Sequence, residues 1–246
     1  MTIDISNNAM ILAAGFGKRM RPITNKTPKP MLQVDGRTLL DHSIDHLVAA
    51  SVGKVVINIH HLGHQIVQHI SRRTDIEIVI SDESDKILET GGGVTKALPL
   101  LGDDPFFVIN GDALWLDGPM PALQRLAQSW DDDQMDGLLL LHSTVEAYGY
   151  EGMGDFIVDP IGLLTRRPER EISPYLYAGI QILHPRLFKN APGGSFSMNL
   201  LFDEAIENER LFGTVHDGDW FHIGTADGLN QAEGYFRQRF PGMRRR

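Results

Sequence analysis

The first apolar run, Met10–Ala14 (MILAA), stops at glycine and predicts a buried strand. Thr38–Ala50 then places Leu39, Leu40, Ile44, Leu47 and Val48 on one face of a helix. Lys54–Ile59 (KVVINI) reads as a second, β-branched strand, and His64–Ser71 returns to helical spacing. Ile76–Ile80 predicts a third strand, Gly93–Leu100 a helix, and Pro105–Asn110 (PFFVIN) a fourth, fully buried strand. Strands that are apolar throughout and alternate with helices predict a parallel sheet covered on both faces. From about Asp136 the texture changes. Gly137–His142 (GLLLLH) is one more buried strand, followed by short strand-like pieces at Asp155–Val158 and Tyr175–Leu183 separated by Gly and Pro. Leu200–Asn208 and Gly228–Arg239 read as helices. With no repeat or linker, residues 1–246 predict one α/β domain of two lobes, about 10–135 and about 136–240, the second a mixed sheet.

Composition narrows the choice. A chain of 246 residues, 42% hydrophobic, suits one α/β unit somewhat above the usual ~100–200 residues per domain. A net charge of -9 argues against nucleic-acid partners, which need a basic face, and the Arg244–Arg246 end reads as a solvated terminus. With no cysteine there is no disulfide, thiolate nucleophile or cysteine zinc site. No apolar stretch approaches the ~20 residues that cross a bilayer. The MTIDISNN start lacks the charged and apolar regions of a signal peptide. The expectation is a soluble cytoplasmic protein with no membrane contact.

The segment from Met10 to Leu32, MILAAGFGKRMRPITNKTPKPML, carries the strongest chemical signal. A strand end opens into a loop holding Ala13, Ala14, Gly15, Gly17, Lys18, Arg19 and Arg21, and Pro28-Lys29-Pro30 fixes a further cation in a rigid turn. Glycines admit phosphates to the backbone, and N–H groups with fixed cations neutralise them. The dinucleotide fingerprint fails at Met20, and the Walker-type loop fails because Arg19 follows Gly17-Lys18. Asn110-Gly111-Asp112 follows the PFFVI strand, where a carboxylate can hold a hard cation or simply cap the next element. Glu89-Thr90-Gly91-Gly92-Gly93 can lay bare backbone against a flat base or serve as a helix entry. His60 and His61 end a strand without a third metal ligand, Trp115 and Trp130 read as packing residues, and Asp131–Asp133 as a solvated acidic loop.

From Met10 to about Phe236 the chain resembles the sugar-1-phosphate nucleotidyltransferases, whose signature the first loop matches. Within that group it is most similar to the short bacterial N-acetylmuramate 1-phosphate uridylyltransferases, then to mannose-1-phosphate guanylyltransferases. The resemblance implies a Rossmann-like three-layer fold with a mostly parallel central sheet. It implies a cytoplasmic enzyme of nucleotide-sugar synthesis serving peptidoglycan recycling, with a nucleoside triphosphate and a sugar 1-phosphate as partners and Mg²⁺ as cofactor. Asp112 would bind the metal, Asn110 would lie by the sugar, and Glu89, Gly91 and Gly92 would meet the nucleobase. Gly154-Asp155 and Tyr177-Ala178-Gly179 fall where the family lines its sugar pocket; each could equally be a strand-edge turn. About ten residues follow Phe236, so a minimal enzyme is expected, without the β-helical acyltransferase extension of some relatives.

One position departs from the family pattern. The Trp-x-Asp-x-Gly-Thr segment, whose Asp is a second metal ligand, here reads Trp220-Phe221-His222-Ile223-Gly224-Thr225. His222 can ligate and favour Mn²⁺, Asp217 or Asp219 can substitute, Asp112 and the triphosphate can hold one metal alone, or His222 can be purely structural. The reaction needs no enzyme nucleophile, because the sugar phosphate is already anionic. Arg19, with Lys18, would neutralise leaving pyrophosphate, while Lys29 would bridge the α-phosphate or the incoming phosphate. The substrates expected first are UTP and N-acetylmuramate 1-phosphate, and second GTP and mannose 1-phosphate. A non-catalytic nucleotide-sugar binding module is the alternative from another class, supported by His222 alone.

Overall fold

The computed structural model describes residues 7–241, so Arg244–Arg246 and the first six residues lie outside the described residues. In chain order the elements are β1 (Asn8–Leu12), β2 (Gln33–Val34), β3 (Arg37–Thr38), α1 (Leu39–Ala49), β4 (Lys54–Ile59), α2 (Gly63–Ile70), β5 (Glu77–Asp82), α3 (Glu89–Leu101) and β6 (Phe106–Asn110). There follow β7 (Ala113–Leu116), α4 (Ala122–Ser129), β8 (Gly137–Ser143), β9 (Phe156–Val158), β10 (Leu164–Arg166), β11 (Tyr175–Leu183), α5 (Asn199–Glu207), β12 (Leu211–Val215), β13 (Asp219–His222) and α6 (Ala226–Arg239). One nine-stranded sheet runs in the order β10-β9-β11-β6-β1-β4-β5, with β8 paired to β11 and β12 to β8. Strands β6, β1, β4 and β5 are parallel. The direction reverses at β11, which runs antiparallel to both β6 and β8.

Alternation along each strand divides the core. Ile11, Val55, Ile57, Phe107 and Ile109 point to one face, where they pack with Leu40, Ile44 and Leu47 of α1 and Ile66 of α2. Met10, Val56, Phe106 and Val108 point to the other, against Val94 and Ala97 of α3 and Leu201 and Phe202 of α5. Both faces are covered, so the central strands carry no polar side and read as continuous apolar runs. Each fully buried aliphatic side chain contributes about 1.5–3 kcal/mol. A third cluster joins Met20 and Leu32 of the first loop to Leu114 of β7, Phe221 of β13 and Phe236 of α6. That small core fixes two segments of the site to one another.

Two differences from the sequence expectation bear on function. Gly91 and Gly92, expected ahead of a helix opening at Gly93, lie with it inside α3, which starts four residues earlier than predicted. Glycine disfavours helix by about 1 kcal/mol each, and here tertiary packing overrides that preference. The β7–β13 pair was not anticipated either; it sets His222 opposite Ala113, beside Asp112.

Candidate active site

Strand β1 ends at Leu12, flanked at the same level by Asn58 of β4 and Asn110 of β6. The chain then leaves the sheet and descends through three short 3-10 turns, Lys18–Met20, Ile23–Asn25 and Lys29–Met31. Gly17 stands in the left-handed region at φ 60°, and a Cβ there would meet the Thr24 methyl at 2.8 Å. The Thr24 hydroxyl donates to the Gly17 carbonyl at 2.9 Å, closing the loop. Burial of Met20 and Leu32 pins it from below, so Lys18 and Arg19 project from an anchored loop into solvent.

This loop forms one wall of a cleft of about 420 Å³ whose lining includes Ala13, Ala14, Gly15, Gly17, Lys29, Glu89, Asn110 and Asp112. A second hollow of about 380 Å³, bounded by Gly15, Lys18 and Arg19, shares Lys29 and Asp112 with it. The two hollows meet at an ion pair between Lys29 and Asp112. Its position follows from local packing. Gly111 N–H donates to the Leu12 carbonyl at 2.9 Å, and a Cβ at Gly111 would strike that oxygen at 2.4 Å and Pro30 at 3.0 Å. The strand-end turn therefore presses against the proline that follows Lys29. The Lys29 side chain is only 12% exposed, against 37% for Asp112, so the ammonium is held while the carboxylate stays open to the cleft.

On the opposite wall, Glu89 and Thr90 line the cleft with Ser197. Glu89 has φ 59°, a left-handed conformation uncommon outside glycine. Gly91 and Gly92, expected to present bare backbone, lie behind this surface. Both N–H groups donate to the Phe196 carbonyl, at 2.9 and 3.2 Å, and a Cβ at Gly91 would enter the Phe196 ring at 2.3 Å. At Gly92 it would meet the Gly194 carbonyl at 2.2 Å. The glycines admit a covering strap, residues 194–198, which leaves Glu89, Thr90 and Ser197 as the exposed edge.

The sugar-side candidates converge less tightly. Asn110 lines the cleft, and Gly179 (φ 80°) sits at a register shift in β11 directly against the Asn110 side chain. Asp155 accepts a hydrogen bond from Tyr177 N–H at 2.8 Å. The Tyr177 hydroxyl is buried without a hydrogen-bond partner, and burial, then the charges of Asp112 and Asp155, push its pKa up. Gly154 serves the backbone: a Cβ would strike the Ser173 and Tyr175 carbonyls at 2.6 and 2.7 Å. Sequence reasoning missed Tyr150, whose oxygen accepts from Gly154 N–H at 3.1 Å and whose ring lies edge-on to His222 at 5.8 Å.

His222 joins the cluster. Its pKa is lowered, first by burial and then by the charges of Arg19 and Lys29, so the imidazole is neutral near pH 7. Gly224 leaves room for it, since a Cβ there would meet Nε2 at 2.1 Å. Asp219 is placed otherwise. Three residues along β13, it faces the other side of the strand and accepts from the Tyr235 hydroxyl at 2.5 Å. Asp217 is paired with Arg125. The two-residue period of the strand turns Asp219 away from His222, and Asp217, outside the strand, is engaged by Arg125. No group of three or more His, Asp or Glu side chains converges on a metal position among the described residues. A hard divalent ion commonly takes one or two carboxylates and completes its shell with water and phosphate oxygens, and Asp112 at an open cleft fits that demand.

A family model described as nucleotidyl transferase matches residues 8–238. The chain belongs to the nucleotidyl transferase family. Nucleotidyl transferases generally use divalent metal ions. The chain is 40% identical to the N-acetylmuramate alpha-1-phosphate uridylyltransferase of Caulobacter vibrioides, over 92% of this chain and 95% of that protein. It is 37% identical to the enzyme of the same name from Neisseria meningitidis, over 92% and 96%. The mannose-1-phosphate guanylyltransferase catalytic subunit beta of Drosophila melanogaster is 26% identical, over 88% of this chain and 59% of that protein. Among solved structures, UDP-glucose pyrophosphorylase in complex with UDP-glucose superposes with TM-score 0.76, 18% identity and coverage of 96% and 100%. The inositol-1-phosphate CTP transferase of T. maritima gives 0.75 and 15%, over 96% and 98%. These likenesses establish the nucleotidyltransferase fold, and the family places the chain among enzymes that transfer a nucleotidyl group to a sugar 1-phosphate.

Proposed function

We propose that the protein transfers a uridylyl group from UTP to N-acetylmuramate 1-phosphate, forming UDP-N-acetylmuramate and pyrophosphate. The observation that carries the chemistry is the Lys29–Asp112 pair at the junction of the two hollows, one beside Glu89 and Thr90, the other beside Lys18 and Arg19. The choice of base and sugar rests on the near full-length likeness to enzymes of that name.

A phosphate oxygen of the sugar 1-phosphate attacks the α-phosphorus as the bond to the β-phosphate oxygen breaks, and its electron pair leaves with pyrophosphate. No protein atom is covalently changed. The obstacle is accumulated negative charge, which fixed cations and dipoles offset without reorganising. Ala13, Ala14, Gly15 and Gly17 bring backbone to the phosphates, and Arg19, with Lys18, meets the leaving pyrophosphate. Lys29 lies where the α-phosphate and incoming phosphate come together. Glu89 and Thr90 hold the base edge, with Gly91 and Gly92 backing them. Asn110, Asp155, Tyr177 and Gly179, with Gly154 shaping the turn, form the sugar side, with the Tyr177 ring set edge-on to Phe202. Asp112 would hold a Mg²⁺ ion that polarises the α-phosphate and screens both partners. His222, neutral and beside Asp112, would stand at the edge of that site; an imidazole suits Mn²⁺ better than Mg²⁺. No helix among the described residues is long and apolar enough to cross a membrane. The cytoplasm, which supplies UTP, is the proposed site of action.

The experiment is pyrophosphate release with UTP or GTP, each against N-acetylmuramate 1-phosphate or mannose 1-phosphate, in Mg²⁺ and then Mn²⁺. Turnover confined to UTP with N-acetylmuramate 1-phosphate supports the reading. Preference for GTP and mannose 1-phosphate would replace it.

A further inference from the structure

Two polar side chains beside the cleft, Asn58 and Glu83, are 2% and 1% exposed, and the reaction uses neither as a reactant. They form a directed chain of hydrogen bonds. Ala13 N–H donates to Asn58 Oδ1 at 2.7 Å. Asn58 Nδ2 donates to Glu83 Oε1 at 2.7 Å. Glu83 Oε2 accepts from Leu88 N–H at 2.9 Å. The chain starts at the residue that opens the phosphate loop and ends at the residue before Glu89. It bridges the ends of β1, β4 and β5 to the start of α3.

The surrounding structure leaves the pair no slack. Glu83 N–H donates to the Ile59 carbonyl at 2.8 Å, and His60 Nδ1 lies 2.7 Å from the Glu83 carbonyl oxygen. Gly93 has no room for a Cβ, which would sit 2.9 Å from both Asn58 Nδ2 and Glu83 Oε1. An apolar pair of the same size would fill the space but leave the Ala13 and Leu88 N–H groups unpaired. The bridge is thus specified by polarity as well as volume.

We propose that Asn58 and Glu83 are positioning residues that fix the separation between the phosphate loop and the base-side turn at Glu89-Thr90, and so set affinity for the nucleoside triphosphate. This rests on the reading of the cleft as the nucleotide site. Sugar affinity is independent of the bridge, because Asn110, Asp155 and Tyr177 hang from other strands. The direction of the Asn58–Glu83 bond supplies a test. In Asn58→Asp, two acceptors face each other; in Glu83→Gln, a new donor faces either Asn58 Nδ2 or Leu88 N–H. In the double variant the amide at position 83 donates to the carboxylate at position 58 and its oxygen still accepts from Leu88. Every bond is then restored with one reversed.

Each single variant should raise the KM for UTP about tenfold or more, with kcat and the sugar 1-phosphate KM changing less than about threefold. The double variant should return the UTP KM to within about threefold of the parent. Calorimetric binding of UTP with Mg²⁺ to the parent protein is the control: no binding would sink the nucleotide-site reading itself. Parental binding with unchanged KM in the folded single variants overturns the positioning role. So does a folded double variant that stays as impaired as the singles. Should a single variant fail to fold, the double decides alone, and its failure to fold would mark the pair as a core fixture and overturn the proposal.

Discussion

The two glycine-bearing segments beside the cleft have similar composition and opposite surroundings. At Gly15 an added Cβ would meet nothing within 4 Å, and the loop around it opens to the cleft. At Gly91, Gly92 and Gly93 the same atom would strike Phe196, the Gly194 carbonyl, and Asn58 with Glu83. Gly15 is bare over open space, where the proposed function seats a phosphate; Gly91, Gly92 and Gly93 are bare because other parts of the protein already fill that space. Glycine enrichment alone does not distinguish a binding loop from a tightly packed helix start. What distinguishes them is whether the backbone N–H groups are spent, as those of Gly91 and Gly92 are on Phe196.

The largest expected effect lies at the junction of the first segment. Lys29→Ala and Asp112→Ala should each lower kcat by about 10²–10³-fold or more, with an unchanged circular dichroism spectrum. A rate near the parent's in either variant would break the assignment of the first loop to phosphate chemistry. Substitution in the second segment should instead be read in stability. Gly92→Ala should lose about 1–3 kcal/mol in denaturant unfolding, because the obstacle is a backbone carbonyl that cannot step aside. Gly15→Ala should stay within about 0.5 kcal/mol of the parent while raising the KM for UTP. If both alanines affected stability alike, the contrast between open and covered glycines would fail.

Sequence legibility followed the same contrast. The parallel strands were readable because burial on both faces leaves continuous apolar runs, VVI within KVVINI and FFVI within PFFVIN. The place of Asp112 at the cleft was readable from its position past the carboxyl end of β6, and that of Lys29 from the rigid Pro28-Lys29-Pro30 turn. The start of α3 was not, since its helix depends on a strap about a hundred residues away in the chain, tied by Thr90 to Met198 N–H. Asn58 carried a faint signal: a single amide late in an apolar strand, level with Asn110 across β1. Its partner, 25 residues on, could not be identified from spacing. The β7–β13 pair was missed because four-residue strands 103 to 109 residues apart show no periodicity long enough to read.

Smaller effects sharpen the picture at β13. His222→Ala should alter activity or metal preference by about tenfold, whereas Asp219→Asn should leave both within about twofold, since Asp219 faces Tyr235. Equal losses in the two variants would contradict the division of that strand into a site face and a structural face.

The smallest effect is on pH dependence. His42, His184, His216 and His222 all have lowered pKa values, with burial the leading cause in each. The unfolded chain therefore binds protons more readily, and the stability these neutral imidazoles provide is complete above about pH 6.5. It declines as pH falls through 6.5 toward the depressed values. The carboxylates of Asp41 and Asp117 are held below their usual range, although burial, the largest influence on each, opposes the hydrogen bonds that lower them. Their contribution persists until about pH 4. Scanning calorimetry should give a lower Tm at about pH 5.5 than at 7.5; a flat or rising Tm on acidification would contradict this.

The most direct test of the central claim is pyrophosphate release by the parent protein given UTP, N-acetylmuramate 1-phosphate and Mg²⁺. Stoichiometric pyrophosphate and UDP-N-acetylmuramate are expected, both formed at least about 10²-fold more slowly by Lys29→Ala. Folded protein that binds UTP yet releases no pyrophosphate with any sugar 1-phosphate, in Mg²⁺ or Mn²⁺, would contradict it.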